Sequence, residues 1–334
     1  MVTYTAPFPA FLGPHHLVHR PTSPEAFLLT AAPPVRQSFA FSGELPDNHP
    51  LFGESLSQFH DPLFPLASLR QSMLFAALRY FRVPASRHAV VASASAAITD
   101  LEAWRRRGTR AGIVLELAMT PLDVVGGVPR GLECEAAVLI DGERCGTASS
   151  RLAFLLDGVY RNHRERGRRQ SERSAAGYAG PSSRGVPMPG QVGHLHAGNV
   201  LVGLPERTGT DGDAELSFPV DAAAAAELRF VADAPDEVPP LLFLEVSRQL
   251  GMLAATELRG FVPSHAVLSG WQASFRGFAE PGLPLHCTVR EGVGRTDGRV
   301  CRDAEGRPVT ELSLSFLQGS RVVARISASV LQDC

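Results

Sequence analysis

A histidine followed by an aspartate, His60 and Asp61, stands directly before an apolar segment of the chain, where the pair could carry acid–base chemistry. Histidine titrates near neutrality and is the side chain most often used as a general base. We therefore take His60 as the preferred base, with Asp61 either capping the following helix or orienting the imidazole ring. His49 is the second candidate. The alternative is that His60 and Asp61 form only a capping turn.

A second pair of candidate residues, Glu245 and Arg248, lies three positions apart in another apolar segment. If that segment is a helix, the two side chains share one face. A buried ion pair adds little net stability, which favours a functional role, with Glu245 as a catalytic carboxylate and Arg248 as a substrate contact. The alternative is an internal ion pair that fixes how two parts of the chain dock.

The first apolar segment has its own arginine, Arg70, but the position three residues before it is Ala67. Arg70 must therefore bind another carboxylate, a phosphate or water, and a phosphorylated substrate would suit its guanidinium. Gln71 and Gln249 follow the two arginines as further substrate-binding candidates, although satisfying backbone groups is the favoured interpretation for both. We expect the histidines near the other repeat landmarks to be structural: His19, His88, His194, His196 and His265.

The two apolar segments belong to a repeat that runs through the chain. HDPLFPLASLRQSMLFAALRYFRVP (residues 60–84) and EVPPLLFLEVSRQLGMLAATELRGFVP (residues 237–263) share a proline-marked start, an Arg-Gln pair and a Val-Pro stop. Four landmarks keep their order in both copies at offsets of 175, 178, 179 and 177 residues: His19 and His194, Arg70 and Arg248, Pro84 and Pro263, Gly142 and Gly319. Two copies are too few for a solenoid, so we infer a tandem duplication of a globular unit.

The composition is that of a globular protein and excludes several kinds of function. The 334 residues are 44% hydrophobic with a net charge of −2, which gives no electrostatic reason to expect nucleic acid or an anionic membrane as partner. The chain has no lysine, so Schiff-base chemistry is excluded. The five cysteines form no zinc-type cluster, and four lie in predicted strands, so we expect buried thiols, no metal and no cofactor. With neither a signal-peptide pattern nor a membrane-length apolar run, we expect a cytoplasmic protein.

The chain divides into an N-terminal domain (residues 15–157), a linker rich in Arg, Ser and Gly (residues 158–190) and a C-terminal domain (residues 191–332). The linker is predicted to be a solvated connector with a helical start near Tyr160. Binding of RNA or of an acidic carrier protein by its basic residues is the alternative.

The order of elements within each domain indicates a fold. A long apolar helix precedes several β-rich runs, with hairpins predicted at Asp141-Gly142 and Gln318-Gly319. One buried helix followed by an antiparallel sheet predicts the α+β class and a tandem (double) hotdog fold, in which each sheet wraps a long central helix.

The motifs of the two copies resemble those of a known family. HDPL before a helix with Arg-Gln, VHR near the N-terminus, and VP before ExxRQ in the second copy are similar to the A-factor biosynthesis hotdog family over roughly residues 15–332. The resemblance implies transfer of a β-ketoacyl group to the hydroxyl of dihydroxyacetone phosphate, in the synthesis of γ-butyrolactone-type signalling molecules of actinomycetes. The implied partners are acyl carrier protein or acyl-CoA and a small phosphorylated acceptor.

The chain departs from the family's pattern in both copies. The family usually has a glutamate where this chain has Ala67. In the second copy, the family's two histidines are replaced by Ala234 and Glu237, and its glycine by Pro240.

In related hotdog dehydratases, one subunit supplies a histidine and its partner a helix carboxylate, so the two copies of a tandem chain would form a pseudo-dimer with two composite sites. One site would combine His49 or His60 with Glu245. The other would have Ala67 in place of the carboxylate and neither second-copy histidine. We therefore expect one working site per chain.

The implied acyl transfer needs a base for the hydroxyl proton and donors for the thioester oxyanion. We expect free backbone N–H groups at the helix N-terminus after Pro62 to supply the donors.

A dehydratase or thioesterase acting on carrier-bound acyl chains would use the same residues, and a non-catalytic acyl-binding protein is a further alternative. Acyl length, carrier, acceptor and any further homo-oligomer are left open.

Overall fold

Helices and strands follow a similar order in both copies: two or three strands, a long helix and then at least four further strands. The computed structural model describes residues 16–18, 29–31, 35–45, 52, 57–108, 110–176, 185–208, 215–221, 238–292 and 301–333.

The first copy contains β1 (His16–Val18), β2 (Leu29–Ala31), β3 (Ser38–Glu44), α1 (Phe64–Arg79), β4 (His88–Ile98), β5 (Gly112–Leu122), β6 (Gly131–Ile140) and β7 (Glu143–Leu155). Helix α2 (Asp157–Ala175) follows. The second copy contains β8 (Glu206–Thr208), β9 (Glu215–Val220), α3 (Pro240–Arg259), β10 (Ala266–Phe275), β11 (Leu285–Glu291), β12 (Cys301–Arg302), β13 (Pro308–Gln318) and β14 (Arg321–Gln332). Short 3-10 helices span Glu102–Trp104, Pro189–Val192, Ala197–Asn199 and Pro263–His265.

Prolines and a glycine fix where the two long helices begin and end. Pro65 lies in the first turn of α1, and α3 begins at Pro240. Proline suits the first turn, because the N–H that it lacks has no partner within the helix there. Helix α3 stops at Arg259, where Gly260 adopts a left-handed φ of 68° that a glycine accepts without strain.

One antiparallel sheet continues through both copies. The strand order is β3-β5-β6-β7-β4 in the first copy and β9-β11-β13-β14-β10 in the second, and the halves meet where β4 pairs with β10. Ala94 pairs with Ala273, and the 179 residues between them equal the offset between Pro84 and Pro263. A residue paired with its own counterpart lies on a two-fold axis, so a pseudo-two-fold axis relates the copies. The predicted tandem hotdog fold is confirmed.

The two long helices pack on the sheet of their own copy. Helix α1 contacts β4, β6 and β7, and helix α3 contacts β10, β13 and β14. Buried side chains from both copies join into one hydrophobic core. The N-terminal halves of both helices line one cavity, through Ala67 and Arg70 of α1 and Leu241 and Leu244 of α3, so residues of both copies meet there.

Both predicted hairpins are present, one of them shifted by a residue. Asp141 and Gly142 form the two-residue turn between β6 and β7 with φ of 49° and 89°, as a type I′ turn requires. In the second copy, Gln318 still pairs with Arg321, so the turn is Gly319 and Ser320 rather than Gln318-Gly319.

The described part of the predicted linker, residues 158–176 and 185–190, is largely helical rather than a solvated connector. Helix α2 occupies 19 residues and anchors to the second copy, where Arg164 forms an ion pair with Glu280 at 3.2 Å. Its other end meets the first copy, where Tyr160 stacks on His88 with ring centroids 4.0 Å apart. The three domain ranges themselves stay a prediction.

Three cysteines follow the expectation of buried thiols and one does not. Cys134, Cys145 and Cys287 are buried, and burial raises the pKa of Cys145 to about 11. Cys301 is exposed, because it lies on the two-residue strand β12 that pairs with β13 beside the main strand order. Cys334 lies outside the described residues.

Within the described residues, no helix is long and apolar enough to cross a membrane.

Candidate active site

An ion pair on helix α3 forms the centre of the candidate site. Arg248 donates from Nε to Oε2 of Glu245 at 3.0 Å and from Nη2 to Oε1 at 2.8 Å. The side chains of Glu245 and Arg248 are 1% and 4% exposed. Two parallel hydrogen bonds fix the plane of the guanidinium as well as its position.

Two more side chains converge on the same carboxylate oxygen. His194 Nε2 lies 2.8 Å and Gln249 Nε2 lies 2.7 Å from Glu245 Oε1. Gln249 also donates to the carbonyl of Asn199 at 2.7 Å and accepts the N–H of Leu201 at 2.9 Å. Both the nitrogen and the oxygen of the Gln249 amide therefore bond to groups of the protein backbone, and these bonds connect α3 to the segment that follows His194.

These contacts keep Glu245 ionised. Burial by itself would raise the pKa of this carboxyl, but the charges of Arg248 and His194 and their hydrogen bonds outweigh burial and lower the pKa to about 2. His194 Nε2 is also 2.7 Å from Arg248 Nη2, so its tautomer decides whether it donates to the carboxylate or accepts from the guanidinium. With so low a pKa, Glu245 is suited to hold Arg248 in place rather than to exchange protons near neutrality.

The loop before α1 brings His60 and Asp61 of the first copy up to this cluster. Asp61 is 4% exposed, and its Oδ1 accepts the N–H of Leu63 at 2.8 Å. Burial raises the pKa of Asp61 against the opposing charge of Arg248. Its Oδ2 is buried without a hydrogen-bond partner in the part of the chain that the structure describes. His60 is 5% exposed, and its backbone N–H donates to the carbonyl of Trp104 at 2.8 Å.

A small cavity lies where the two copies meet. His60 and Asp61 line it from the first copy, and Gly193 and Arg248 line it from the second. Its volume of about 20 Å³ accommodates about one water molecule. Gly193 has a φ of 79°, and a Cβ there would lie 3.4 Å from Arg248 Nη1, so glycine keeps this side of the guanidinium uncrowded.

Backbone N–H groups at the start of α1 already have partners. Leu63 donates to the Asp61 carboxylate, Phe64 donates to the Asp61 carbonyl at 3.3 Å, and the next two available N–H groups bond to the Leu63 carbonyl. The expectation of free donors after Pro62 is therefore wrong. Arg248 is the charged donor that lines the cavity instead.

The structure does not bring every predicted residue to this place. Arg70 lines a different cavity, together with Phe243 and Arg276. Gln71 is buried on α1 and does not line the small cavity. His49, Ala234 and Glu237 lie outside the described residues. No group of three or more His, Cys, Asp and Glu side chains that could hold a metal occurs among the residues described.

Sequence reasoning missed two residues of the cluster, His194 and Gly193. His194 is fully buried, as a structural histidine would be, but it is bonded to the carboxylate that matters most here. Its distance of 51 residues from Glu245 hides the contact. The sequence offers one signal: Gly193 and His194 belong to the same copy as α3, and His194 is one of the landmarks of the repeat.

Comparisons with known proteins agree with this architecture. The model of the A-factor biosynthesis hotdog domain matches residues 6–155 and 181–331. A 2-oxo-3-(phosphooxy)propyl 3-oxoalkanoate synthase from Streptomyces coelicolor is 29% identical over 313 residues, which cover 90% of each chain. Two solved structures are similar at low identity: a putative oleoyl thioesterase from Lactobacillus plantarum (11% identity, 90% of this chain, 98% of that chain, TM-score 0.48) and the dehydratase domain from the terminal module of the rifamycin polyketide synthase (15% identity, 92% and 96%, TM-score 0.47). Because the family model matches most of the chain in two successive segments, this protein belongs to the A-factor biosynthesis hotdog domain family.

Proposed function

We propose that this protein is an acyltransferase that moves a β-ketoacyl group from acyl carrier protein or CoA to the hydroxyl of dihydroxyacetone phosphate or a similar acceptor. Membership of the family supports an enzyme of this kind, and so does the Streptomyces coelicolor synthase, whose name describes a phosphooxypropyl ester of a 3-oxoalkanoate. The product would be a precursor of a γ-butyrolactone-type signalling molecule. The observation that carries the proposal is the meeting of the buried residues His60, Asp61 and Arg248 at one small cavity between the copies.

His60 is the proposed base. In the transfer step, the acceptor's hydroxyl oxygen forms a bond to the thioester carbonyl carbon while His60 takes the hydroxyl proton. The carbon–sulfur bond then breaks, and the proton passes to the leaving thiolate, so that the base is restored. Asp61 precedes the helix at the same cavity, where burial raises the pKa of its carboxyl.

Arg248 is the proposed partner for negative charge. Its guanidinium lines the cavity while two of its nitrogens are held by Glu245. A fixed cation in a water-poor site stabilises a developing oxyanion strongly, since it needs no reorganisation during the reaction. Glu245 therefore acts as a positioning residue for Arg248, a different role from the catalytic carboxylate predicted from sequence.

The size of the cavity limits what it holds without rearrangement. About 20 Å³ accommodates the reacting atoms or one water molecule, and it does not accommodate a triose phosphate with an acyl thioester. Productive binding therefore requires this space to widen, so binding energy from the acyl chain and the phosphate would drive an induced fit.

A thioesterase is the second candidate, and the water-sized cavity beside His60 favours it. There, His60 would activate a water in place of the triose hydroxyl, and the product would be a free acid. Dehydration of a β-hydroxyacyl chain by the same residues is the related alternative.

One product assay separates these reactions. Purified protein is incubated with β-ketoacyl carrier protein or β-ketoacyl-CoA, with and without dihydroxyacetone phosphate, and products are identified by mass spectrometry. We expect a phosphorylated ester that requires the acceptor. Free β-keto acid at the same rate with and without acceptor would indicate a thioesterase, and an enoyl product from a β-hydroxyacyl carrier would indicate a dehydratase. Saturable binding with no product from any substrate would indicate an acyl-binding protein.

A further inference from the structure

The pseudo-two-fold axis places a second composite position on the other side of the molecule. Ala67 and Arg70 of α1 are the counterparts of Glu245 and Arg248 of α3, each at an offset of 178 residues. Ala67 offers no carboxylate, so the ion-pair cluster of the first site has no counterpart on α1. This position holds a larger cavity instead.

The larger cavity has two chambers that share wall residues. The outer chamber has a volume of about 280 Å³, and the inner chamber has a volume of about 30 Å³. Arg70 and Phe275 line both chambers. The inner chamber reaches Ala67 and Leu244, which are 2% and 4% exposed, so it ends between the two long helices among apolar side chains.

Charge and apolar surface are segregated along this cavity. His163 of α2 and Arg276 are exposed at its mouth, and Arg70 is half-buried where the chambers join. Phe243, Phe275 and Phe278 form much of the remaining wall. The described part of the cavity therefore combines arginine side chains toward its mouth with an apolar interior.

We infer that this second cavity binds an amphiphilic anion, a medium-length aliphatic chain with a carboxylate or phosphate head. The chain lies against the phenylalanines and extends toward Ala67, and the head lies between Arg70 and Arg276, where a guanidinium can bind either group through two hydrogen bonds. The outer volume is near the lower end of the range for small-molecule sites, and the mixture of aromatic walls with a few cations is typical of them. This site is separate from the small cavity at His60, and its occupancy does not depend on the proposed transfer reaction.

Two sources could supply such a ligand: the chain of the acyl substrate or product, or an independent fatty acid or alkyl phosphate. The chemistry at the cavity is the same for both. Calorimetric titration tests binding without any need for turnover, and kinetics of one variant then identify the source.

The test titrates decanoate, decyl phosphate and decanol into the full chain at several temperatures. We expect both anions to bind with a negative heat-capacity change, because apolar surface is buried. Decanol should bind at least about tenfold more weakly, because it lacks the charge that the arginines bind. No binding of either anion, or equal binding of decanol, would overturn the inference.

Three variants locate the binding. Ala67→Glu fills the inner chamber and supplies a carboxylate near Arg70, so anion binding should fall at least about tenfold. Arg276→Gln changes an exposed residue and should weaken the anions several-fold while leaving decanol unchanged, which keeps the test valid even if Ala67→Glu fails to fold. Glu245→Gln alters the small cavity and should leave anion binding unchanged. Binding that is lost in Glu245→Gln but kept in Ala67→Glu and Arg276→Gln would refute the assignment.

Substrate kinetics of Ala67→Glu then separate the two sources. A raised KM for the acyl carrier with unchanged kcat would identify the occupant as the substrate's own chain. An unchanged KM together with lost decanoate binding would identify an independent ligand. Both outcomes support the site.

Discussion

Glu245 and Ala67 occupy equivalent positions in the two copies, and the difference between them produces two different kinds of site. In the second copy, Glu245 collects an arginine, a histidine and a glutamine around one carboxylate. In the first copy, Ala67 leaves an arginine next to apolar space. The substitution therefore accounts for both an electrostatic cluster and a cavity, on opposite sides of the pseudo-two-fold axis.

The cluster should make stability depend on acidic pH. The pKa of Glu245 is about 2 in the folded chain and 4.5 ordinarily, so its contribution is present above about pH 4.5 and is lost as pH falls through 2. The difference corresponds to about 3 kcal/mol of unfolding free energy. Urea unfolding between pH 7 and pH 3 should show the larger part of this decline, about 2 kcal/mol, in the native chain and a shallower decline in Glu245→Gln. Parallel curves for the two proteins would contradict the assigned pKa.

Glu245→Gln should also be less stable than the native chain at pH 7. Removing one partner of a buried ion pair leaves Arg248 uncompensated, which costs about 3–5 kcal/mol in comparable cases. The same unfolding curves provide this value.

Variants of Asp61 can separate its structural role in the turn before α1 from a role in the reaction. Asp61→Asn keeps an oxygen that can accept the Leu63 N–H, so its stability should stay within about 0.5 kcal/mol of native, whereas Asp61→Ala should lose about 1 kcal/mol. If the carboxyl acts in the reaction, both variants should lose transfer activity. Native activity in Asp61→Asn would mean that this residue only stabilises the turn before the helix.

At the scale of elements, α1, α3 and the hairpins were predictable because their signals are local. Proline starts, apolar periodicity and an Asp-Gly turn are read within a few residues. The full extent of helix α2 was not predictable from the sequence, because its residues are polar on most faces. The contacts that hold α2, to Glu280 and Arg321, lie more than 100 residues away in sequence.

Arg321 should hold α2 in place. Its guanidinium donates to the Gly167 carbonyl at 3.3 Å, to Ser171 Oγ at 2.6 Å and to the Phe278 carbonyl at 3.0 Å. Arg321→Ala removes all three bonds, so α2 should open locally more often and trypsin should cleave its arginines at least about tenfold faster. Arg325→Ala, an exposed arginine on the same strand, is the matched control. Equal cleavage of the two variants would exclude this role.

At the scale of the whole molecule, the two copies behave as a fused heterodimer rather than as independent domains. The β4–β10 pairing continues one sheet through both, and the candidate site takes residues from each. The repeat in the sequence predicted this architecture and the meeting of His60 with the second copy. Neither His194 nor the use of the α1 N–H groups was predictable, since both depend on how the backbone folds between distant segments.

Expressing the two copies as separate fragments should show that each copy depends on the other to fold. Fragments 1–180 and 181–334 should assemble into a one-to-one complex when co-expressed, measured by light scattering. Each fragment alone should aggregate or self-associate, because β4 or β10 would become an open edge strand. Two stable monomeric fragments would show that the copies are independent domains.

Complementation tests most directly whether one chain contains one complete transfer site. Rates of ester formation from β-ketoacyl carrier protein and dihydroxyacetone phosphate are measured for the native chain, His60→Gln, Glu245→Gln and an equimolar mixture of the two variants. We expect each variant to lose at least about a hundredfold in rate. The mixture should stay equally inactive, since every chain carries one damaged site. Full turnover by either variant, or recovery in the mixture, would contradict a single site shared by the two copies of one chain.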